Sequence, residues 1–251
     1  MNTIQTNKTQ TRKAREVADR EQLLLNIALE IIEAHGFSAL TMDKLTQQSE
    51  YSKGTVYNHF SSKEDLLTAL CLRAIRVQQV LYNKLVDFGT NSREQVVGFA
   101  FAYELFAKLY PALFMVGLTV KTSAIREKAS PQRGNAITEA ENEMIEMMKS
   151  LAKNAIDANE LDKKYADNLY QVTFSIWCMG FGTVSLMRTL GECGASSCME
   201  NICVHNSLLY HVSLLLDGLG WQPLNNNFDY TKTWETLKNE TFAAEIEQLR
   251  Q

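Results

Sequence analysis

The chain has 251 residues, 45% hydrophobic and 22% charged, with a formal net charge of −4. That length holds one large domain, or a small one joined to a larger, and the acid excess excludes nonspecific coating of nucleic acid while leaving room for a local basic face. Only 3 prolines and 12 glycines occur, which favours long helices over a turn-rich β architecture.

Residues 1–18 read as a basic flexible arm, because Lys8, Arg12, Lys13 and Arg15 meet no acid in the opening stretch. A first helix is expected from Asp19, with Gln22 as capping partner and Leu24, Ile27, Ala28, Ile31 and Ile32 at helical spacing. Gly36 ends it, and Phe37 is expected to fold back on Ile32 in a Schellman stop. A short helix capped by Thr41 carries Met42 and Leu45 inward. The turn "SEYS" leads to a third helix, capped by Ser52, with Val56 and Phe60 on one face. Residues 19–65 therefore read as a helix-turn-helix unit.

Ser61 with Glu64 is expected to cap a long connector helix, striped by Leu67, Leu70, Ala74, Val77, Leu81, Leu85 and Phe88 and closed by Gly89. Ser92 with Gln95 caps the next, which reaches Tyr110, and Pro111 and Pro131 suit the first turns of later helices. A long helix from about Asp162 ends near Gly191, and a box at Ser197 and Glu200 opens a final core helix that stops around Gly218. These elements form a second domain over residues 66–222. Residues 223–251 read as a linker and one amphipathic helix bearing Trp234, Leu237, Phe242, Ile246 and Leu249. No segment has strand periodicity, so the fold class is all-α. Runs such as "ALFMVGL" fall far short of the roughly 20 residues of a membrane span. The N-terminus lacks the apolar core of a signal peptide. The expectation is a cytoplasmic protein with no membrane partner, its five cysteines reduced.

The stretch "SKGTVYNHFSSKEDLL", residues 52–67, carries the chemistry. Lys44, Lys53 and Lys63 each lie in the first turn of a helix, the positive end of its dipole, where an anion is favoured. Asp43, Glu64 and Asp65 can screen Lys44 and Lys63, but Lys53 has no acid in its own helix. With Val56 and Phe60 inward, Lys53, Gly54, Tyr57 and Asn58 face outward and Thr55 and His59 flank them. Glycine inside a helix costs about 1 kcal/mol against alanine, and a missing side chain lets the backbone approach a groove or phosphate. An outward Tyr57 suits a phosphate or thymine-methyl contact. His59 taken alone reads as a capped surface histidine.

The segment "ALTMDKLTQQSEYSKGTVYNHFSSKEDLLTAL" resembles the DNA-binding segment of the TetR (tetracycline repressor) family, over residues 24–70. The resemblance implies phosphate contacts from Thr41, Thr55, Tyr57, His59 and Lys63, and base or groove contacts from Lys53, Gly54, Tyr57 and Asn58. It implies a homodimer, with the last two core helices in a four-helix bundle, and a larger helical domain that binds a ligand. One departure is Glu50, where the family has glycine in the turn. A positive φ there would strain the turn.

Two aromatic stripes are candidates for ligand contact: Phe99, Tyr103 and Phe106 with Tyr110, and Phe174, Trp177 and Phe181 with Tyr170. Ordinary burial explains such stripes equally, with Glu104, Lys121 and Arg126 as unranked polar handles. Cys193, Cys198 and Cys203 are spaced five apart, about 140° on a helix, and no C-x-x-C occurs, so neither metal nor cofactor is expected. No Gly-rich phosphate loop or G-x-S-x-G motif occurs, so the chain is not read as an enzyme. The reading is a ligand-responsive dimeric regulator of transcription, a repressor released from a pseudo-palindromic operator in double-stranded DNA by a small apolar or aromatic effector. Three alternatives stay open: a thiol-redox response at Cys198, an all-α enzyme fused to the helix-turn-helix, and a helix-turn-helix that packs on protein.

Overall fold

The structure is a computed structural model that describes residues 2–120, 123–192 and 207–250. Among the described residues every regular element is helical. They form two compact units, residues 1–74 with 112–138, and residues 75–111 with 139–251.

In the first unit, α1 (Asn2–His35) begins well upstream of the expected Asp19. The stretch read as a flexible arm is therefore helical. Arg12 and Arg15, read as unopposed, pair with Glu16 and Asp19 one turn on. Leu24, Ala28, Ile31 and Ile32 are buried as their spacing predicts. Gly36, at φ 80°, donates its N–H to the Ile32 carbonyl at 2.8 Å. That is the single-bond left-handed stop, not the Schellman form, and Phe37 opens a 3-10 turn, Phe37–Ala39.

Then come α2 (Met42–Gln48) and α3 (Lys53–His59), capped by Thr41 and Ser52 through N–H bonds from Lys44 and Thr55. Met42, Leu45, Val56 and Phe60 are buried, each side chain stabilising the unit by about 1.5–3 kcal/mol. Asn159 is the one non-glycine with positive φ among the described residues, so the turn at Glu50 is not strained in the way expected. Helix α4 (Lys63–Asn83) is capped one residue later than expected. Ser62 Oγ accepts from Asp65 N–H, and the Asp65 carboxylate accepts from Ser61 N–H. The unit is completed by α6 (Pro111–Thr119), α7 (Ser123–Arg126) and the start of α8 (Pro131–Asp157).

In the second unit, α4 stops at Asn83, short of the expected Phe88. A 3-10 turn follows, with Lys84 and Leu85 donating to the carbonyls of Leu81 and Tyr82. It tucks Leu85 under α5 (Ser92–Leu109), where a Cβ on Gly98 would stand 2.9 Å from Leu85 Cδ2. Asn91, not Ser92, caps α5. It accepts from Glu94 N–H, and Glu94 accepts from Thr90 N–H. The helix expected from Asp162 begins as a 3-10 segment, Lys163–Asn168, and becomes α9 (Leu169–Glu192).

Helix α10 (Ser207–Gly218) ends in a Schellman stop. Trp221 N–H donates to Leu216 and Gly220 N–H to Asp217, with Gly220 at φ 69°. The C-terminal segment is two helices, α11 (Tyr230–Thr236) and α12 (Ala243–Gln248), joined by a π turn, rather than one. It docks on α5 of its own chain. Trp234 meets Phe101 edge-on at 4.8 Å, Phe242 stacks on Phe101, and Thr233 donates to the buried Glu94 at 2.7 Å. The expected box at Ser197 and Glu200 lies outside the described residues, as do Lys121, Cys193, Cys198 and Cys203. No single helix among the described residues is long and apolar enough to cross a membrane.

Candidate nucleic-acid interface

Helix α3 presents two faces. Val56 and Phe60 are fully buried, and Lys53, Gly54, Tyr57 and Asn58 are exposed on the opposite side, with Thr55 half-buried beside them. A Cβ built on Gly54 would meet only Ser52 Oγ, at 3.9 Å. Nothing inside the unit demands glycine there, so its cost in a helix interior is not offset by packing.

The cations are distributed differently from the sequence expectation. Lys53, read as lacking an acid, bonds Asp43 of α2 at 2.8 Å and lies 5.7 Å from the Tyr57 ring centroid. The hydrogen bond and charge of Asp43 hold its ammonium above the ordinary lysine value. The acids expected to screen Lys44 and Lys63 are turned elsewhere. Glu64 reaches Lys128 and Asp65 reaches Arg133. Among the described residues neither Lys44 nor Lys63 forms an ion pair, and Lys63 lies 5.5 Å over the Phe37 ring.

Two expected phosphate contacts are compromised by internal bonds. The Thr41 hydroxyl caps α2, though it stays exposed. His59 is corrected more sharply, since its side chain is 7% exposed and its Nδ1 lies 3.7 Å from Glu21 Oε2. Its place is against α1, not out towards a polyanion. Sequence reasoning missed Arg133 entirely. That residue sits on α8 yet bonds Glu21, Asp65 and the His59 carbonyl. No local pattern marks it, because its partners lie far away in the chain.

The ligand-contact candidates divide. Phe99, Tyr103 and Phe106 of α5 are buried. Phe174 and Trp177 of α9 are exposed, with Tyr170, while Phe181 is half-buried. The four α9 rings run along the helix at centroid spacings of 6.4, 5.7 and 5.2 Å. The buried face of α9 is instead Val172, Ile176, Gly180 and Val184, with Gly180 against Tyr103. Phe174 and Trp177 therefore lie on the exposed side of α9, apart from the buried residues of α5. Glu104 is paired with Lys108. Among the described residues no group of three His, Cys, Asp or Glu could hold a metal ion.

Residues 24–70 match the family described as bacterial regulatory proteins, tetR family. An uncharacterized HTH-type transcriptional regulator of Mycobacterium tuberculosis is 37% identical over 57 residues, 23% of this chain and 28% of that protein. The matched stretch thus spans little more than a quarter of that relative. Solved structures extend the likeness in fold. A tetR-family regulatory protein from Rhodococcus RHA1 superposes with a TM-score of 0.57 at 16% identity, covering 80% of this chain and 97% of that one. The fatty acid degradation regulator FadR from Bacillus halodurans does so with a TM-score of 0.60 at 16% identity, over 79% and 95%. Residues 24–70 are thus a tetR-family helix-turn-helix segment, set in an all-α fold like that of solved proteins of that description.

Proposed function

We propose that the chain acts in the cytoplasm as a homodimeric repressor on pseudo-palindromic double-stranded DNA, and that a small apolar or aromatic effector releases it. The observation that carries this reading is the outward face of α3, where Lys53, Gly54, Tyr57 and Asn58 lie together and the glycine answers to no internal packing. Unpaired Lys44 and Lys63 add positive charge at the starts of α2 and α4, where backbone N–H groups also favour phosphate.

Dimerisation is supported by the apolar surface of α9 and α10. Tyr210 is 63% and Leu214 53% exposed on α10, and Tyr170 and Phe174 are exposed on α9. The effector reading rests on α5, whose buried Phe99, Tyr103 and Phe106 would give an apolar lining. The likeness in fold to a fatty acid degradation regulator agrees with that chemistry. Catalysis has no part in this reading.

The test is selection of duplexes from a randomised pool by the parent protein, followed by affinity measurements. Tyr57→Ala and Lys63→Ala should weaken binding to all sequences. Lys53→Ala and Asn58→Ala should also relax sequence preference, each lost base contact being worth about 1–3 kcal/mol. If all four variants bind the selected duplex like the parent, this face does not read DNA.

A further inference from the structure

Arg133 occupies the first turn of α8, where a cation meets the unfavourable end of the helix dipole. Its reason for being there lies in what it reaches. Nη1 and Nη2 donate to the two carboxylate oxygens of Glu21 on α1, at 2.9 and 3.1 Å. Nη2 also donates to the carbonyl of His59, the last residue of α3, at 2.9 Å. Nε stands 3.3 Å from Asp65 Oδ1 at the start of α4, and the guanidinium lies 4.9 Å over the Phe60 ring. All of these groups belong to the first unit.

Helix α3 is 7 residues long. A helix that short has little stability of its own, and its orientation is set by what it packs on. Val56 and Phe60 anchor its inner face, but apolar contacts alone tolerate rotation and sliding. The Arg133 fork adds direction. It fixes the C-terminal carbonyl of α3 to α1 and α4 at once, through donors whose geometry only a planar guanidinium supplies. The side chain is 16% exposed and fully engaged, so it is not offered to a phosphate.

We propose that Arg133 is a positioning residue for the DNA-reading helix, holding α3 so that Tyr57 and Asn58 meet the bases in register. The proposal rests on the DNA-binding reading. It places a determinant of sequence discrimination 74 residues downstream of the helix it serves.

The experiment compares the parent with Arg133→Gln, Arg133→Lys and the milder Glu21→Gln, using two readouts. The first is amide hydrogen exchange. Residues 53–60 should exchange about tenfold faster in Arg133→Gln while residues 92–109 are unchanged. The second is affinity for a duplex selected by the parent from a randomised pool, and for a scrambled duplex of the same length, across a salt series. Affinity for the selected duplex should fall about tenfold or more, as expected when a base contact loses register. Affinity for the scrambled one, and its salt slope, should stay near the parent's. Arg133→Lys, which keeps the charge and loses the fork, should resemble Arg133→Gln.

Full rescue by lysine, with the salt slope of Arg133→Gln reduced by about one, would mean a direct phosphate contact and overturn the proposal. Exchange raised equally in both segments would mean a merely structural role and overturn it too. If Arg133→Gln does not fold, Glu21→Gln carries the same expectations in weaker form. A parent that enriches a duplex which Arg133→Gln binds equally well refutes the positioning role alone. A parent that enriches no duplex refutes the DNA reading, and the role of Arg133 in discrimination with it.

Discussion

Lys53 on α3 and Asp43 on α2 are joined by an ion pair of 2.8 Å that crosses the turn of the helix-turn-helix. Both side chains are largely exposed, so the pair is open to competition from any other anion, including a phosphate. Asp43 is then a built-in rival of DNA for Lys53. Asp43→Asn should tighten binding to duplexes of any sequence by a few fold and steepen the salt dependence by about one unit of slope. Fluorescence anisotropy across a salt series measures both. An unchanged slope would mean that Lys53 stays with Asp43, or in water, when DNA is bound.

The same pair shows how far the sequence could be read. The face of α3 was legible, because Val56 and Phe60 sit one turn apart and fix which residues point outward. The partner of Lys53 was not, since it comes from a neighbouring helix. The caps at α4 and α5 were legible to within one residue. Adjacent polar residues offered two overlapping boxes at each site, Ser61 or Ser62 and Asn91 or Ser92. Tertiary bonds decide between them: Asp65 is drawn to Ser130 N–H and Arg133, and Ser92 N–H to Glu160. The rings of α9 do share a face, as their spacing says. Period alone could not tell that Val172, Ile176 and Val184, rather than the rings, would be the buried side.

Arg93 supplies a prediction about stability. It is fully buried on α5, bonded to Asp217 at 2.7 Å and to the carbonyls of Trp221 and Pro223, with Tyr230 at 4.6 Å under its guanidinium. Arg93→Met would remove a donor from each of these acceptors, leaving Asp217 the Asn225 N–H and the Pro223 carbonyl the Tyr230 hydroxyl. The Asp217 side chain is 37% exposed and can take up water, so the expected loss is about 2–3 kcal/mol, from the bonds to buried carbonyls and the charged donor. Urea denaturation followed by circular dichroism checks it. A loss below about 1 kcal/mol would show that water replaces the guanidinium without strain.

Asp65 supplies a pH dependence. Burial pushes its carboxyl up, but N–H groups of Ser130 and Ser61 and the charge of Arg133 outweigh that and hold it below the ordinary value. A carboxyl whose folded value is depressed adds stability above its unfolded value, near 3.9, and that stability is lost as pH falls through the folded value. Asp65→Asn exchanges a charged acceptor of the Ser61 and Ser130 N–H groups for a neutral one and should cost about 2 kcal/mol at neutral pH. The gap to the parent should narrow only below about pH 4. Melting of both proteins from pH 7 downward tests this. A gap that closes already near pH 6 would assign the effect to another group.

The last prediction concerns the surface of α9 and α10. On α10, Tyr210 and Leu214 are one turn apart and both exposed, and on α9 Tyr170 and Phe174 repeat that spacing. Leu186 adds a further exposed apolar side chain, 60% accessible, towards the end of α9. A monomer in water seldom keeps so many large apolar groups on adjoining helices uncovered. A second copy of the chain would cover them symmetrically, each α9 and α10 pair meeting its own counterpart. Leu214→Lys places a charge in that face without disturbing the buried side of α10, where Leu208, Val212 and Leu216 lie. The folded chain should keep its stability within about 0.5 kcal/mol, as for an ordinary surface change. Its assembly should change: sedimentation at micromolar concentration should show a dimer for the parent and a monomer for the variant. Binding to a duplex with two half-sites about one helical turn apart should fall to that of a single half-site, because two recognition helices must be held roughly 34–36 Å apart to engage both. Binding to a single half-site should be unchanged, which separates a lost partner from a damaged α3. A parent that sediments as a monomer, or a variant that remains dimeric and binds both half-sites, would show that the apolar face of α9 and α10 serves some other purpose.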